Sequence, residues 1–272
     1  MQNETIQKIL DFIEKETKQN AFRVTIQPDA PTGIFDSKFA GLPYWDSTKP
    51  YPKDENGNPL LLLAQFNFDK NNVSAPLPTK GMLQFFIADD EDFGLHNENF
   101  AVVYHETIDT TITEQALSDM GISFCLDDLE MFPVCEPFGV TITPKTVSMN
   151  MSDVRFLTIF QKAVKAILPE QPLPCLPNDL FGKNFDDFYD NLCDTTYHWL
   201  LGYPFFTQFD PRENAEDFEI DDNDIFYDTL LFQMDSDEDI MWGDCGVANF
   251  FINKKDLENK NFDNILYSWD CC

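Results

Sequence analysis

The carboxylates of residues 210–244 are the side chains of this sequence with the clearest capacity for chemistry. Fourteen of these 35 residues are Asp or Glu, and only one is basic. Asp235, Asp237 and Asp239 alternate within the stretch, and Asp244 follows shortly after. Carboxylate oxygens are the ligands that Ca²⁺ prefers in proteins. The three alternating aspartates are therefore candidate ligands of a weakly bound divalent cation.

The calcium-binding loop of EF-hand proteins is not matched, however. Counting from Asp235, the sixth position is Ile240 where that loop needs Gly, and the twelfth is Gly246 where it needs Glu. The favoured interpretation is a solvated acidic loop, and the bound cation is the alternative. Trp242 and Asp244, in the run Trp-Gly-Asp-Cys-Gly, are candidate ligand-binding residues.

No motif for nucleophilic or cofactor chemistry accompanies these acids. Cys245 precedes a glycine directly, whereas a nucleophile elbow reads Gly-x-Ser-x-Gly at a strand-to-helix turn, so we interpret Cys245 as part of a structural turn. Neither phosphate-binding glycine pattern occurs. The three histidines lack the clustered spacing of a zinc site: His96, His105 and His198. No catalytic residue and no cofactor are assigned.

The charge of the whole chain narrows the class of partner. The 272 residues include 48 acidic and 18 basic ones, a formal net charge of -30. Nucleic acids and anionic membrane surfaces would be repelled by this charge, so neither is expected as a partner. Three roles of this charge stay open: attraction of a basic protein partner, attraction of cations, or solubility alone.

The cytoplasm is the predicted compartment. The N-terminus has neither the basic nor the apolar segment of a signal peptide, and the strongest apolar run, residues 60–64, is too short to span a bilayer. The seven cysteines show no CxxC or zinc-ligand spacing. We expect reduced and mostly buried thiols.

Hydrophobic periodicity predicts helices at two places in the chain. Apolar residues at i, i+3, i+4 and i+7 predict a helix over residues 4–18, and a second helix over 152–168 ends at Pro169. The proline-rich residues 169–177 predict an extended connector, and a shorter helix is indicated over 185–192. Six short apolar runs bounded by turn residues predict strands: 60–68, 81–88, 100–105, 229–234, 247–253 and 264–269.

An internal repeat relates the two ends of the chain. Four segments recur in the same order: 41–45 with 202–206, 62–67 with 230–235, 81–87 with 246–252, and 102–104 with 265–267. This order predicts a duplicated β-unit within one domain of residues 1–272. Its parts are the N-terminal helix 4–18, a half-repeat 36–110, a linking helix with connector 150–180, and a half-repeat 200–270.

One amide stands among apolar neighbours in the middle strand of each half-repeat, Gln65 in the first and Gln233 in the second. A buried amide must find hydrogen-bond partners, so bonding to backbone at a bulge or sheet edge is the simpler interpretation. Ligand binding by Gln65 and Gln233 is the alternative.

The repeated segments also carry a family resemblance. Residues 38–45, 62–66 and 81–86, and then 202–204, 231–235 and 242–252, are similar to the bacterial YwqG-like family, and the Trp-Gly-Asp-x-Gly run is the most specific element. The similarity covers residues 36–270. It implies a mainly β, roll-like architecture with flanking helices. It implies no reaction, because that family has no established activity.

These observations lead to one expectation and one alternative. The expected protein is mainly β, with roll-like antiparallel sheets from two related halves and flanking helices. It is expected to act as a non-enzymatic binding module, for a protein partner ahead of a small ligand. One form of that partner is a basic protein, and another is an immunity- or stress-related protein. The alternative is a hydrolase or metal-dependent enzyme that uses the carboxylates of residues 235–244.

Overall fold

Ten antiparallel strands form one sheet that nearly closes into a barrel, with helices packed at its sides. The computed structural model describes residues 3–96, 99–129, 131–213 and 227–272. The chain is therefore mainly β with flanking helices, as its sequence predicts.

The strands are β1 Gln19–Ile26, β2 Lys38–Phe39, β3 Leu61–Asn67, β4 Met82–Ile87, β5 Phe100–His105, β6 Phe138–Val147, β7 His198–Leu200, β8 Thr229–Asp235, β9 Val247–Ile252 and β10 Ile265–Asp270. The helices are α1 Asn3–Thr17, α2 Glu114–Asp119, α3 Phe156–Ile167, α4 Pro177–Phe181, α5 Phe185–Tyr189 and α6 Lys254–Glu258. The order across the sheet is β10-β9-β8-β7-β1-β6-β2-β3-β4-β5.

The central pair of the sheet, β1 and β6, is absent from the predicted strands. β1 pairs along its whole length with residues 140–147 of β6, and Phe22 lies opposite Pro144. β6 meets its other neighbour, β2, only at Phe138 and Gly139. Pro144 therefore lies where β6 is paired on one side only, and a strand tolerates proline at such an open edge.

The strands on either side of this centre follow one pairing pattern. We refer to residues 32–105 as the first half and to residues 193–270 as the second half. In each half, consecutive strands pair in order, and the register shifts at one point, between Leu62 and Ala64 in β3 and between Leu230 and Phe232 in β8. Gln65 and Gln233 directly follow these two shifts, so both glutamines occupy the same place relative to a β-bulge.

Aromatic rings from both halves fill the space inside the sheet. Phe85 of β4 contacts Phe232 of β8, with ring centroids 4.8 Å apart, and Phe250 of β9, at 5.0 Å. Phe39 and Phe66 extend the same cluster. Aromatic pairs at these distances add to the stabilisation that area burial provides, so this cluster joins the two halves into one core.

A second cluster lies where α1 and α3 pack on the outside of the sheet. The apolar stripe of α1 that the sequence predicts is buried there, at Ile6, Ile9 and Ile13, and it meets Phe160 of α3. No helix in the described part of the chain is long and apolar enough to cross a membrane.

The expectation of mostly buried cysteines is wrong. All seven thiols are free; five are exposed and two are of intermediate exposure, Cys193 and Cys271. Among the described residues, the core is filled instead by phenylalanine rings, such as those of Phe39, Phe66 and Phe85, and by branched aliphatic side chains.

Candidate functional site

Gln65 is fully buried and links β3 to two other segments of the first half. Its Oε1 accepts hydrogen bonds from the backbone N–H of Tyr44 (3.1 Å) and from Nε2 of Gln84 (3.0 Å). Its Nε2 donates to the carbonyl oxygens of Ile34 (3.0 Å) and Asp36 (2.8 Å). Both atoms of the amide group are thus fully used within the fold.

Gln233 has the same role in the second half. It is fully buried, its Oε1 accepts from the backbone N–H of Phe205 (2.7 Å), and its Nε2 donates to the carbonyls of Thr195 and Tyr197 (2.8 Å each). The amide of Asn249 beside it donates to the carbonyl of Phe205 at 3.0 Å. In each half, a buried glutamine therefore joins the segment before the short strand to the loop after it.

A buried lysine marks the first half. Lys38, opposite Gln65 in the sheet, donates from Nζ to the carbonyl oxygens of Thr32 (2.8 Å), Gly33 (3.1 Å) and Leu42 (2.5 Å). Burial lowers the pKa of Lys38 to about 8, because it disfavours the charged form. Three carbonyl oxygens satisfy all three N–H groups of the ammonium.

His105 is buried beside the loop that Gln65 positions. Its ring lies 5.1 Å from the rings of Tyr44 and Trp45, and its Nε2 is 3.0 Å from Oε1 of Gln84. Because that oxygen accepts, Nε2 carries the proton. Burial lowers the pKa of His105 to about 4, and the positive charge of Lys49 acts in the same direction. The ring is therefore a neutral part of the packing.

Asp235 and Asp237 bind the segment that enters β7. Asp235 accepts a hydrogen bond from the backbone N–H of Tyr197 (2.6 Å), and Asp237 contacts Nε2 of His198 at 3.1 Å. Nδ1 of His198 accepts from the backbone N–H of Asp235 (3.2 Å), so Nε2 carries the proton. Burial raises the pKa of Asp235. Burial also acts to raise the pKa of Asp237, but the hydrogen bond from His198 and backbone N–H groups outweigh it and lower that pKa.

The candidate cation ligands Asp235, Asp237 and Asp239 are not arranged around a common point. Among the residues that the structure describes, no group of three or more His, Cys, Asp or Glu side chains could hold a metal ion. Oδ1 of Asp237 accepts from the backbone N–H of Asp239 (2.8 Å) and of Ile240 (3.0 Å), so it stabilises a turn. The divalent cation stays a prediction.

Trp242 packs the Trp-Gly-Asp-Cys-Gly turn against the C-terminal segment. It is fully buried, 5.4 Å from the ring of Phe93, and its Nε1 has no hydrogen-bond partner among the described residues. A Cβ at Gly246 would lie 1.9 Å from the carbonyl oxygen of Asp270, so only glycine fits there. Asp244, by contrast, is exposed on the outside of the turn.

The first residues of the predicted acidic loop lie in a buried ion cluster. Arg212 binds the carboxylate of Asp210 through Nε (2.8 Å) and Nη2 (2.5 Å), and its Nη2 also contacts Asp153 at 3.1 Å. Arg155 binds the same Asp153 through two bonds of 2.7 Å. Burial alone would raise the pKa of Asp153, but the two arginines outweigh it and lower that pKa.

One solvated loop is therefore the wrong description of residues 210–244. Asp210 and Arg212 are buried, and residues 214–226 lie outside the described residues. Residues 235–244 instead meet segments that are distant in sequence. Val134 forms a β-bridge with Ile240, so the segment around Val134 lies against residues 235–244.

We name the resulting surface the acidic face and define it as residues 89–92, 126–129, 131–136 and 235–244. The backbone N–H of Met241 donates to the carbonyl of Pro133 (2.8 Å), and the N–H of Met131 donates to Asp89 (2.8 Å). Twelve acidic residues and no Lys or Arg occur in these segments. Three of the four segments carry no sequence signal for this surface, because their proximity arises from long-range contacts.

Apolar side chains stand exposed on this acidic face. Met131 is 44% exposed, Met241 48% and Leu126 40%. Flexible methionine side chains adapt to partners of varied shape and are frequent at binding surfaces. Exposed acids occur in the same segments, among them Glu91, Asp127 and Glu238, so the acidic face combines apolar side chains with negative charge.

Comparison with known proteins gives a family without an assigned role. The family model described as Domain of unknown function (DUF1963) matches residues 37–271. No curated protein matches the chain. The matched region contains the first half from residue 37 onwards, the acidic face and the whole second half, whereas α1 and β1 precede it.

Proposed function

The chain belongs to the DUF1963 family, a domain of unknown function, and we propose that it is a non-enzymatic binding module for a basic protein partner. The acidic face is the proposed binding surface. The observation that carries this proposal is the exposure of Met131 and Met241 among carboxylates that no Lys or Arg of the same segments neutralises.

The partner would present a segment with both basic and apolar side chains. Apolar contacts at the centre of an interface supply most of its affinity, while charged groups around them guide association and select the partner. The acidic face offers apolar side chains with acids beside them. An amphipathic basic segment of another protein complements both properties.

The alternative is an enzyme that uses residues 235–244. The observation nearest to it is the contact between His198 and Asp237, which resembles a base with its orienting carboxylate. Both ring nitrogens of His198 are already used, however, because Nδ1 accepts the backbone N–H of Asp235. Binding is therefore the function that the geometry supports better.

Binding of a synthetic amphipathic peptide tests the proposal. The probe is a helical peptide with Lys on one face and Leu on the other. An otherwise identical peptide in which Glu replaces Lys is its control. Fluorescence anisotropy should show that the Lys peptide binds and the Glu peptide does not. Affinity should fall as sodium chloride rises, because a salt-screened attraction contributes to it.

Two charge-reversal variants locate the binding surface. Glu91→Lys/Glu238→Lys, on the acidic face, should weaken binding about tenfold, since close charges contribute most. Asp11→Lys/Glu16→Lys on α1 makes the same change in net charge and should weaken it no more than about twofold. Equal losses in the two variants would mean that net charge alone attracts the peptide, and the proposal would fail.

Further properties complete the proposal. We propose that the protein is a YwqG-like bacterial protein of the cytoplasm, built as one domain over residues 1–272 by duplication of a β-unit. The shared bulge before Gln65 and Gln233 supports duplication, because independent origins would not be expected to place it identically. A role for the partner in immunity or stress responses belongs to the same proposal.

A further inference from the structure

A cavity of about 200 Å³ lies beside the segment that enters β7. Asn150 and Thr195 line its inner part, and their buried side chains are hydrogen-bonded to each other. Phe205 forms part of the wall, while Asp190 and Asp194 are exposed at the opening. The cavity is thus small, partly aromatic and open to solvent on an acidic side.

The bonds of the two glutamines show which residues of the first half correspond to residues that line the cavity. Gln65 donates to the carbonyl of Ile34 and accepts from the N–H of Tyr44. Gln233 makes the same bonds to Thr195 and Phe205, both of which line the cavity. Residues 193–196 therefore correspond to residues 32–35.

In the first half, the corresponding backbone segment binds an ammonium group. Nζ of Lys38 donates to the carbonyls of Thr32 and Gly33, whose counterparts Cys193 and Asp194 line the cavity. The counterpart of Lys38 in the second half is Trp199. Its side chain carries no positive charge, and its indole N–H donates to Thr196 at 2.8 Å.

The side chains around the cavity favour a positive charge. None of the lining residues is basic. Within the described residues, the carboxylate of Asp190 forms neither an ion pair nor a hydrogen bond. Arg23 approaches the same segment but donates to the carbonyl of Thr196 and lies 4.0 Å above the ring of Tyr197.

We propose that this cavity binds an organic cation, an ammonium or guanidinium group on a short apolar stem, beside the backbone segment whose counterpart in the first half binds the Lys38 ammonium. Asp190 and Asp194 would pair with the charge, and the faces of Tyr189 and Phe205 attract cations. The volume is below the roughly 300–1,000 Å³ of sites for drug-sized ligands, so one amine fits.

The cation has two sources that share this chemistry, a free small amine or an Arg or Lys side chain of a protein. This inference goes beyond the proposed function, because none of the cavity residues belongs to the acidic face. Glu91→Lys/Glu238→Lys should accordingly leave cation binding unchanged, so either proposal can fail without the other.

Calorimetric titration with agmatine, a guanidinium on a butylamine stem, tests the site. Asp190→Asn should weaken binding about tenfold, because it removes a charge-assisted contact. Asp187→Asn, in helix α5 just before Asp190 but outside the cavity, is the matched control and should bind as the wild type does. Asp194→Asn is a second variant, in which the amide oxygen can still accept from the N–H of Thr196.

A peptide with a single Arg between Gly and Ser residues distinguishes the two sources. Tighter binding of agmatine than of the peptide indicates a free amine, and tighter binding of the peptide indicates a protein side chain. No binding of either probe at millimolar concentration, or equal affinity in Asp190→Asn and Asp187→Asn, would overturn the inference.

Discussion

The first and second halves of the sheet use the same glutamine contacts but differ in what lies beside them. In the first half, Lys38 fills the space under the loop with its own ammonium group. In the second half, Trp199 stands at that position and a cavity with acids at its opening lies next to the loop. The same arrangement of strands and loop is therefore filled by a side chain in the first half and has a cavity beside it in the second half.

The difference shows how a repeated unit can acquire a binding site without changing its frame. The glutamines keep the loop in place in both halves, because each of them bonds to backbone atoms on both sides of the short strand. The residues between them are then free to differ. The first half is the internal reference against which variants of the second can be measured.

The largest expected effect concerns the ion pairs of the two halves. Arg212→Ala should lower the free energy of unfolding by about 3–5 kcal/mol, because it leaves the buried carboxylate of Asp210 without its ion-pair partner and removes one of the two arginines that bind Asp153. Urea unfolding measures this loss. Lys70→Ala, which removes the exposed pair with Asp36 in the first half, is the control and should cost less than about 1 kcal/mol. Similar losses in both variants would remove this difference between the halves.

Removing each glutamine compares the two loops directly. Gln65→Ala and Gln233→Ala should each cost on the order of 1–3 kcal/mol, since buried backbone groups lose their partners. Gln65→Ala should cost more, because its amide makes four hydrogen bonds and that of Gln233 makes three.

The exposed Gln115 provides the control for these variants. Gln115→Ala removes only a surface contact with Asp119 and should be nearly neutral. If denaturation midpoints stay unchanged in both core variants while peptide or agmatine binding is lost, the two glutamines belong to a binding site and not to the scaffold.

A smaller effect should appear in the pH dependence of stability. The pKa of Lys38 is about 8 in the folded protein and about 10.4 in an unfolded chain, so the unfolded state binds more protons between these values. Stability from this group therefore rises with pH, by about 2 kcal/mol from pH 8 to 10. Below pH 8 the contribution is flat.

The variant Lys38→Met isolates this contribution from those of the tyrosines. The difference in unfolding free energy between wild type and variant should change across pH 8 to 10 and stay constant from pH 6 to 7.5. A constant difference over the whole range would show that Lys38 has an ordinary pKa and is not buried as a charged group.

The sequence predicted most elements but not the centre of the sheet. Strand β5 was placed at its observed bounds, 100–105, because aromatic and apolar residues there are bounded by turn residues. β6 was missed because many of its residues are polar and exposed and because it includes Pro144. β1 was missed because it follows α1 with no intervening turn residue, so no signal marks its start.

The candidate site was also predicted only in part, because some of its segments meet only in the folded chain. Local patterns drew attention to the carboxylates of residues 235–244 and to the buried glutamines. The other segments of the acidic face meet them only through long-range contacts, such as the bridge between Val134 and Ile240. The Lys38 ammonium and the cavity beside Thr195 were missed because burial depends on the folded chain.

Methyl NMR of the methionines during titration with the Lys–Leu peptide tests the proposed binding surface most directly. Met131 and Met241 report on the acidic face, and Met151, which lines the cavity, is the internal control. The account predicts that the resonances of Met131 and Met241 shift in a saturable and salt-sensitive manner while Met151 shifts little. Unshifted Met131 and Met241 resonances when the peptide is bound would contradict it.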